Sequence, residues 1–85
     1  MSKLSNLDIE VLAVLTETQG TTASVVRDLV DFPSRMYTSR VRQSIRTLDK
    51  LTQEGLAEQS YGEAWAVWRR TAAGTKALAD REVGA

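Results

Sequence analysis

Apolar residues recur at helical spacing in three successive stretches of the first 55 residues. In the first stretch they cover a broad arc of a helix: Leu7, Ile9, Val11, Leu12, Val14 and Leu15. Ser5 and Asp8 have the spacing of a capping box, in which each side chain accepts a hydrogen bond from the backbone of the other residue. The pattern predicts helix 1 over residues 4–19, ended by Gly20. An arc this wide favours a fold in which part of it faces a partner.

Two more helices are predicted before the hydrophobic period changes. The second covers residues 22–31 and ends before Pro33, because proline has no N–H and disfavours helical geometry in the preceding residue. The third covers residues 35–54 and ends at Gly55. Its apolar residues share one face, which we expect to be buried: Tyr37, Val41, Ile45, Leu48 and Leu51.

After the third helix, the spacing becomes typical of strands. Two short strands joined by a turn at Gly62 and Glu63 predict a β-hairpin over residues 56–70. Thr71 can then cap a last helix over residues 72–81. The predicted fold is one mainly α-helical (α+β) domain of 85 residues, with a three-helix core, a hairpin and a C-terminal helix.

Composition lowers the expectation of catalysis. The chain has no cysteine and no histidine, so it lacks the commonest general base and the commonest soft metal ligands. Glu54, Glu58 and Glu63 lie across a helix end, a strand and a turn, which does not favour a metal site. We expect no enzyme activity, no catalytic residue, no metal and no cofactor. The longest apolar run, residues 11–15, is too short to span a bilayer, so we expect a cytoplasmic protein without membrane contact.

Charge is distributed unevenly although the net charge is zero. Residues 33–50 carry five basic residues and one acidic residue, a net charge of +4, whereas residues 1–32 carry −3. Basic and polar side chains share the side of the third helix opposite its apolar face: Arg35, Ser39, Arg42, Gln43, Arg46 and Lys50. The carboxylates of this helix lie at the edge of that face, Asp49, and at the far end, Glu54. The distribution favours a nucleic-acid surface over a merely solvated one.

Three helices, a hairpin and a basic third helix are typical of a winged helix-turn-helix domain. Residues 48–56, LDKLTQEGL, resemble the LxxLxxxGLV end of the recognition helix in MarR and PadR regulators. Residues 68–78, WRRTAAGTKAL, resemble their YRLTEAGREAL segment, where a wing strand leads into a capped helix. The resemblance covers about residues 21–80. Arg70 departs from it, since those families usually have an apolar residue there. MarR-type proteins use additional long helices to bind effectors, so we expect no small-molecule effector for this chain.

The resemblance implies that the third helix lies in the major groove of double-stranded DNA. Because arginine pairs with guanine and glutamine with adenine, base contacts are expected from four residues on or beside its polar face: Ser39, Arg42, Gln43 and Arg46. Phosphate contacts are expected from the remaining basic residues nearby: Arg35, Arg40, Lys50 and Arg69. The wing tip is predicted to reach the neighbouring groove or backbone: Tyr61, Gly62 and Glu63. Trp65 and Trp68 are expected in the core, with stacking on unpaired bases as the alternative.

The function expected from these features is a DNA-binding transcriptional regulator, associated with the nucleoid. One recognition helix reads few base pairs, so we expect a homodimeric repressor that occupies paired half-sites. One alternative is a winged-helix module that binds a protein. Another is an architectural, excision or replication accessory protein that binds DNA without regulating a promoter.

Overall fold

The computed structural model describes residues 4–33, 36–62 and 64–84. The elements, in chain order, are α1 (Asn6–Val14), α2 (Ala23–Leu29), α3 (Tyr37–Gln53), β1 (Ala57–Tyr61), β2 (Ala66–Arg70) and α4 (Ala72–Gly84). The strands form an antiparallel two-stranded sheet. This arrangement confirms the predicted mainly helical fold, with a hairpin after the third helix and a C-terminal helix, and it is compatible with a winged helix. No described helix is long and apolar enough to cross a membrane.

The N-terminus of α1 has the predicted capping box. The Ser5 hydroxyl accepts a hydrogen bond from the Asp8 N–H at 3.1 Å, and the Asp8 carboxylate accepts one from the Ser5 N–H at 2.9 Å. Both bonds satisfy backbone donors that the first turn of a helix leaves unpaired. One side of α1 enters the core through Val11, Leu12 and Leu15.

The end of α1 lies five residues before its predicted end at residue 19. The Thr16 hydroxyl accepts a hydrogen bond from the Gln19 N–H and donates one to the Gln19 carbonyl. The Thr16 carbonyl in turn accepts from the backbone N–H of Arg70 in β2, at 2.9 Å. These bonds replace the helical ones, because short polar side chains compete with the helix for the same backbone groups.

Gly20 has a different role from the predicted helix stop. The segment containing it is held against the hairpin, where Thr21 and Trp68 form a β-bridge with two N–H to carbonyl bonds of 2.9 Å. A Cβ at position 20 would lie only 2.7 Å from Cγ2 of Val67 in β2. Glycine is therefore required for the close approach of this segment to β2.

The end of α3 and the start of α4 follow the sequence signals. Gly55 has a φ of +77°, a conformation that favours glycine. The N–H of Leu56 donates to the Leu51 carbonyl, which completes a Schellman motif. The Thr71 hydroxyl accepts from the Gly74 N–H at 3.1 Å and so caps α4 as predicted.

The core lies where three helices and the hairpin meet: Val11, Leu12, Leu15, Val26, Val30, Phe32, Leu48, Leu51, Ala57 and Trp68. Trp68 is 4% exposed, as expected of a large aromatic side chain in a small domain. The same expectation is wrong for Trp65, which is 72% exposed in the turn between the strands.

The Arg70 side chain donates hydrogen bonds to two other elements of the domain. Its Nη1 donates to the Leu12 carbonyl near the C-terminus of α1, and its Nε donates to the Thr75 hydroxyl of α4 at 3.0 Å. The Thr75 hydroxyl donates in turn to the Glu17 carboxylate. Arg70 therefore links α1, β2 and α4, which accounts for a charged residue where an apolar one is usual.

Candidate nucleic-acid interface

The orientation of α3 differs from the one predicted from its apolar residues. Its most buried side chains are Ser44, Thr47, Leu48 and Leu51, all at most 7% exposed. At about 100° per residue, with Val41 at zero, the centre of this buried face lies near 290°, about 50° from the predicted position. Ile45, which was predicted to be buried, is 40% exposed. The side chain of the fifth predicted member, Tyr37, lies outside the described part of the structure.

Hydrogen bonds of two hydroxyls account for this difference between the predicted and the observed orientation of α3. The Ser44 hydroxyl donates to the Arg40 carbonyl at 2.8 Å, and the Thr47 hydroxyl donates to the Gln43 carbonyl at 2.9 Å. A hydroxyl that bonds to its own helix can enter a core without leaving a polar group unsatisfied. Ser44 and Thr47 therefore pack inward with the leucines, and the face opposite them turns to solvent.

The exposed side chains of α3 form what we call the exposed stripe: Thr38, Arg42, Ile45, Arg46, Asp49 and Gln53. They lie within an arc of about 100° on the helical wheel. Arg42 and Arg46, two of the predicted base-reading residues, lie one turn apart within the stripe. Asp49, placed by sequence at the edge of the polar face, lies in the stripe as well. A carboxylate there repels phosphate, but it can accept a hydrogen bond from cytosine N4.

Ser39 and Gln43, the other two predicted base-reading residues, are only partly exposed at the margin of the stripe. The Gln43 side chain turns towards the domain, since its Oε1 is buried and has no hydrogen-bond partner among the described residues. Nε of Arg40, a predicted phosphate ligand, is also buried and has no hydrogen-bond partner among the described residues. The base-contact group predicted from sequence is thus divided, with its two arginines in solvent and Gln43 partly withdrawn.

Lys50 lies on the flank of α3 that faces α1. Its Nζ forms an ion pair with the carboxylate of Asp8, which is 4% exposed and belongs to the capping box of α1. Burial raises the pKa of Asp8, but the hydrogen bonds from Lys50 and Ser5 and the charge of Lys50 outweigh that effect, so the pKa lies below its ordinary value. To bind a phosphate as predicted, the Lys50 ammonium must contact the phosphate and the Asp8 carboxylate together.

The hairpin tip is exposed next to α3. Tyr61, at the end of β1, is 81% exposed, and the Gly62 N–H closes the turn by donating to the Trp65 carbonyl at 2.8 Å. Arg69 is half-buried in β2, opposite Glu58 of β1. Two predicted contacts, Arg35 and Glu63, lie outside the described residues.

Two open surface grooves meet at Ile45. One follows the exposed stripe and has a volume of about 460 Å³. The other, of about 530 Å³, lies between the start of α2, α3 and the hairpin. Its lining is largely apolar: Thr22, Ala23, Ser24, Ile45, Ala64, Trp65, Ala66 and Trp68. Sequence reasoning missed Ile45 and Trp65 as surface residues, although the hydroxyls of Ser44 and Thr47 were a signal that these positions could be buried instead of Ile45.

No family model, curated protein or solved structure matches this chain. Within residues 4–33, 36–62 and 64–84, no group of three or more acidic, histidine or cysteine residues is arranged to hold a metal ion.

Proposed function

We propose that this protein is a sequence-specific regulator that binds double-stranded DNA with α3 in the major groove. The observation that carries the proposal is the exposed stripe, in which Arg42 and Arg46 lie side by side in solvent. Neither arginine forms an ion pair with another described residue. A guanidinium that is exposed and forms no ion pair among the described residues is available to donate two parallel hydrogen bonds to guanine O6 and N7.

The dimensions of the stripe fit this role. Arg42 and Arg46 are separated by about 6 Å along the helix axis, because an α-helix rises about 1.5 Å per residue. Base pairs stack about 3.4 Å apart, so the two guanidinium groups span about two base-pair steps. The hairpin lies beside the stripe, since Ile45 and Trp65 line one groove. A duplex that meets α3 is therefore positioned to meet the hairpin as well.

Repression by a homodimer belongs to this proposal. A single α3 reads too few base pairs for useful specificity, and a dimer on paired half-sites doubles the number read. The broad apolar arc of helix 1 favours an interface formed by α1, α4 or both. Ultracentrifugation tests the dimer, and a monomer both free and on a selected DNA site would contradict it.

The proposal is tested by selecting bound sequences from random duplexes with the purified chain. We expect a consensus sequence and an affinity that falls steeply with salt, with a log-log slope of about 0.9 per phosphate contact. Arg42→Ala should weaken binding, whereas Lys76→Ala, which removes one exposed positive charge on α4, should change it much less. Equal effects of the two variants, or no effect of either, would overturn the assignment of α3 as the DNA-binding element.

A protein-binding module is the second candidate function. It is favoured by the apolar groove beside the hairpin, where Trp65 is 72% exposed. Binding through that groove would depend on salt less steeply than phosphate contacts do. An architectural protein would instead show the steep salt dependence while the selection returned no consensus sequence.

A further inference from the structure

Ile45 is the apolar side chain of the exposed stripe. It lies between Arg42 and Arg46 in sequence. It is 40% exposed, whereas the polar residues Ser44 and Thr47 of the same helix are buried. It also lines both surface grooves, so a ligand that follows the stripe towards the hairpin passes over it. The stripe therefore presents one apolar contact at its edge, beside two guanidinium groups.

The major groove offers a matching set of groups. Guanine presents O6 and N7 as acceptors for a guanidinium, and thymine presents a 5-methyl group, an apolar feature on a base edge. The Cα atoms of Ile45 and Arg46 are about 3.8 Å apart and their side chains diverge by about 100° around α3, whereas Ile45 is about 4.5 Å from Arg42 along the helix axis. Since base pairs stack about 3.4 Å apart, a base under Ile45 lies within about two steps of the guanines that the arginines would contact.

We infer that Ile45 reads the 5-methyl group of a thymine that lies within two base pairs of a guanine bound by Arg46. The inference rests on the proposed DNA binding and adds a specificity residue that the polar pattern of α3 does not indicate. A buried apolar carbon group contributes about 0.8 kcal/mol, which corresponds to about fourfold in affinity. Loss of the methyl group from that thymine should therefore weaken binding about fourfold per half-site.

The experiment replaces each thymine of the selected site in turn with deoxyuridine, which lacks the methyl group and keeps the same hydrogen-bonding atoms. With the wild-type chain we expect one position per half-site to weaken binding about fourfold. Ile45→Ala should weaken binding to the thymine duplex and be insensitive to deoxyuridine at that position. Ile45→Val should keep the sensitivity. Val25→Ala, the matched control on α2, should behave as wild type, since Val25 is 44% exposed outside the stripe.

The outcomes separate this inference from the proposed function. If Arg46→Ala weakens binding but no deoxyuridine position does, DNA binding stands and the role of Ile45 is overturned. The same holds if Ile45→Ala weakens thymine and deoxyuridine duplexes equally. If the wild-type chain binds no duplex while circular dichroism shows that it is folded, both the proposed function and the role of Ile45 are overturned. The inference would also be overturned if the chain bound a protein partner without DNA and Ile45→Ala abolished that binding.

Discussion

Arg46 and Lys50 lie one turn apart on α3 and carry the same charge, yet their side chains end in different surroundings. Arg46 extends into solvent on the exposed stripe, whereas the Nζ of Lys50 binds the buried carboxylate of Asp8 on α1. The two positions differ by about 40° on the helical wheel. That angle is enough because α1 packs against only one flank of α3. A basic residue on a helix therefore belongs to a binding surface only where no neighbouring element takes up its charge.

The largest expected effect is on stability, at the Lys50 flank. Asp8→Ala removes the acceptor for the Ser5 N–H and the partner of Lys50, so we expect a loss of about 2 to 3 kcal/mol in the free energy of unfolding. Solvent screening keeps the loss below that of a fully buried pair, because the Lys50 side chain is 39% exposed. Urea unfolding measures it. Asp49→Ala, which removes a carboxylate from the exposed stripe, is the control and should change stability by less than about 0.5 kcal/mol. Similar losses for the two variants would contradict the comparison.

The next effect is on DNA affinity, at the exposed stripe. Arg46→Ala should weaken binding to the selected site by about 1 to 3 kcal/mol and relax the preference at one base position per half-site. Its free energy of unfolding should stay within about 0.5 kcal/mol of wild type, because the side chain is exposed. Titrations with the selected and a scrambled duplex provide the measurement. An equal loss for both duplexes would assign Arg46 to phosphate rather than base contact.

A smaller and different effect is expected for Lys50→Ala. It leaves Asp8 buried without its ion-pair partner, so we expect stability to fall by about 1 kcal/mol. Any loss of DNA affinity should be the same for all sequences and lower the salt slope by about one per phosphate contact removed. The measurements are the free energy of unfolding and the salt dependence of DNA affinity, each for Lys50→Ala and for Arg46→Ala. A change in sequence preference with unchanged stability would place Lys50 among the base-reading residues.

The smallest expected effect is the pH dependence of the same ion pair, since it involves only the charge of Asp8. The pKa of Asp8 is lowered in the folded state, so its contribution is fully present above the unfolded pKa of about 3.9 and is lost as the pH falls through the folded pKa. The stability difference between wild type and Asp8→Asn should therefore shrink below about pH 4. Unfolding of both proteins between neutral and acid pH measures it. A difference independent of pH would show that the Asp8 charge does not stabilise the fold.

Elements and caps that depend on neighbouring residues could be predicted from sequence. The capping box of Ser5 and Asp8, the helix end at Gly55 and the cap at Thr71 are formed by residues at most five apart. Arg42 and Arg46 stay exposed despite the error of about 50°, because their wheel positions near 100° and 140° lie at or between the observed centre of the exposed face, near 110°, and the predicted centre, near 160°. Gln43 and Lys50, at about 200° and 180°, lie on the far side of the predicted centre, so the same rotation moves them to the margin of the exposed face.

Other features of the site were decided by the tertiary structure, because they depend on contacts between distant parts of the chain. The ion pair of Lys50 joins residues 42 positions apart, and the bond from Arg70 to the Leu12 carbonyl spans 58 positions. The sequence by itself determined the elements, their order and the basic third helix, since hydrophobic period and capping act over a few residues. Only the packing of α1, α2 and the hairpin around α3 decided which side chains of that helix face solvent. That choice depends on which hydroxyls bond to their own helix and can therefore be buried, and on which charges find a partner on a neighbouring element.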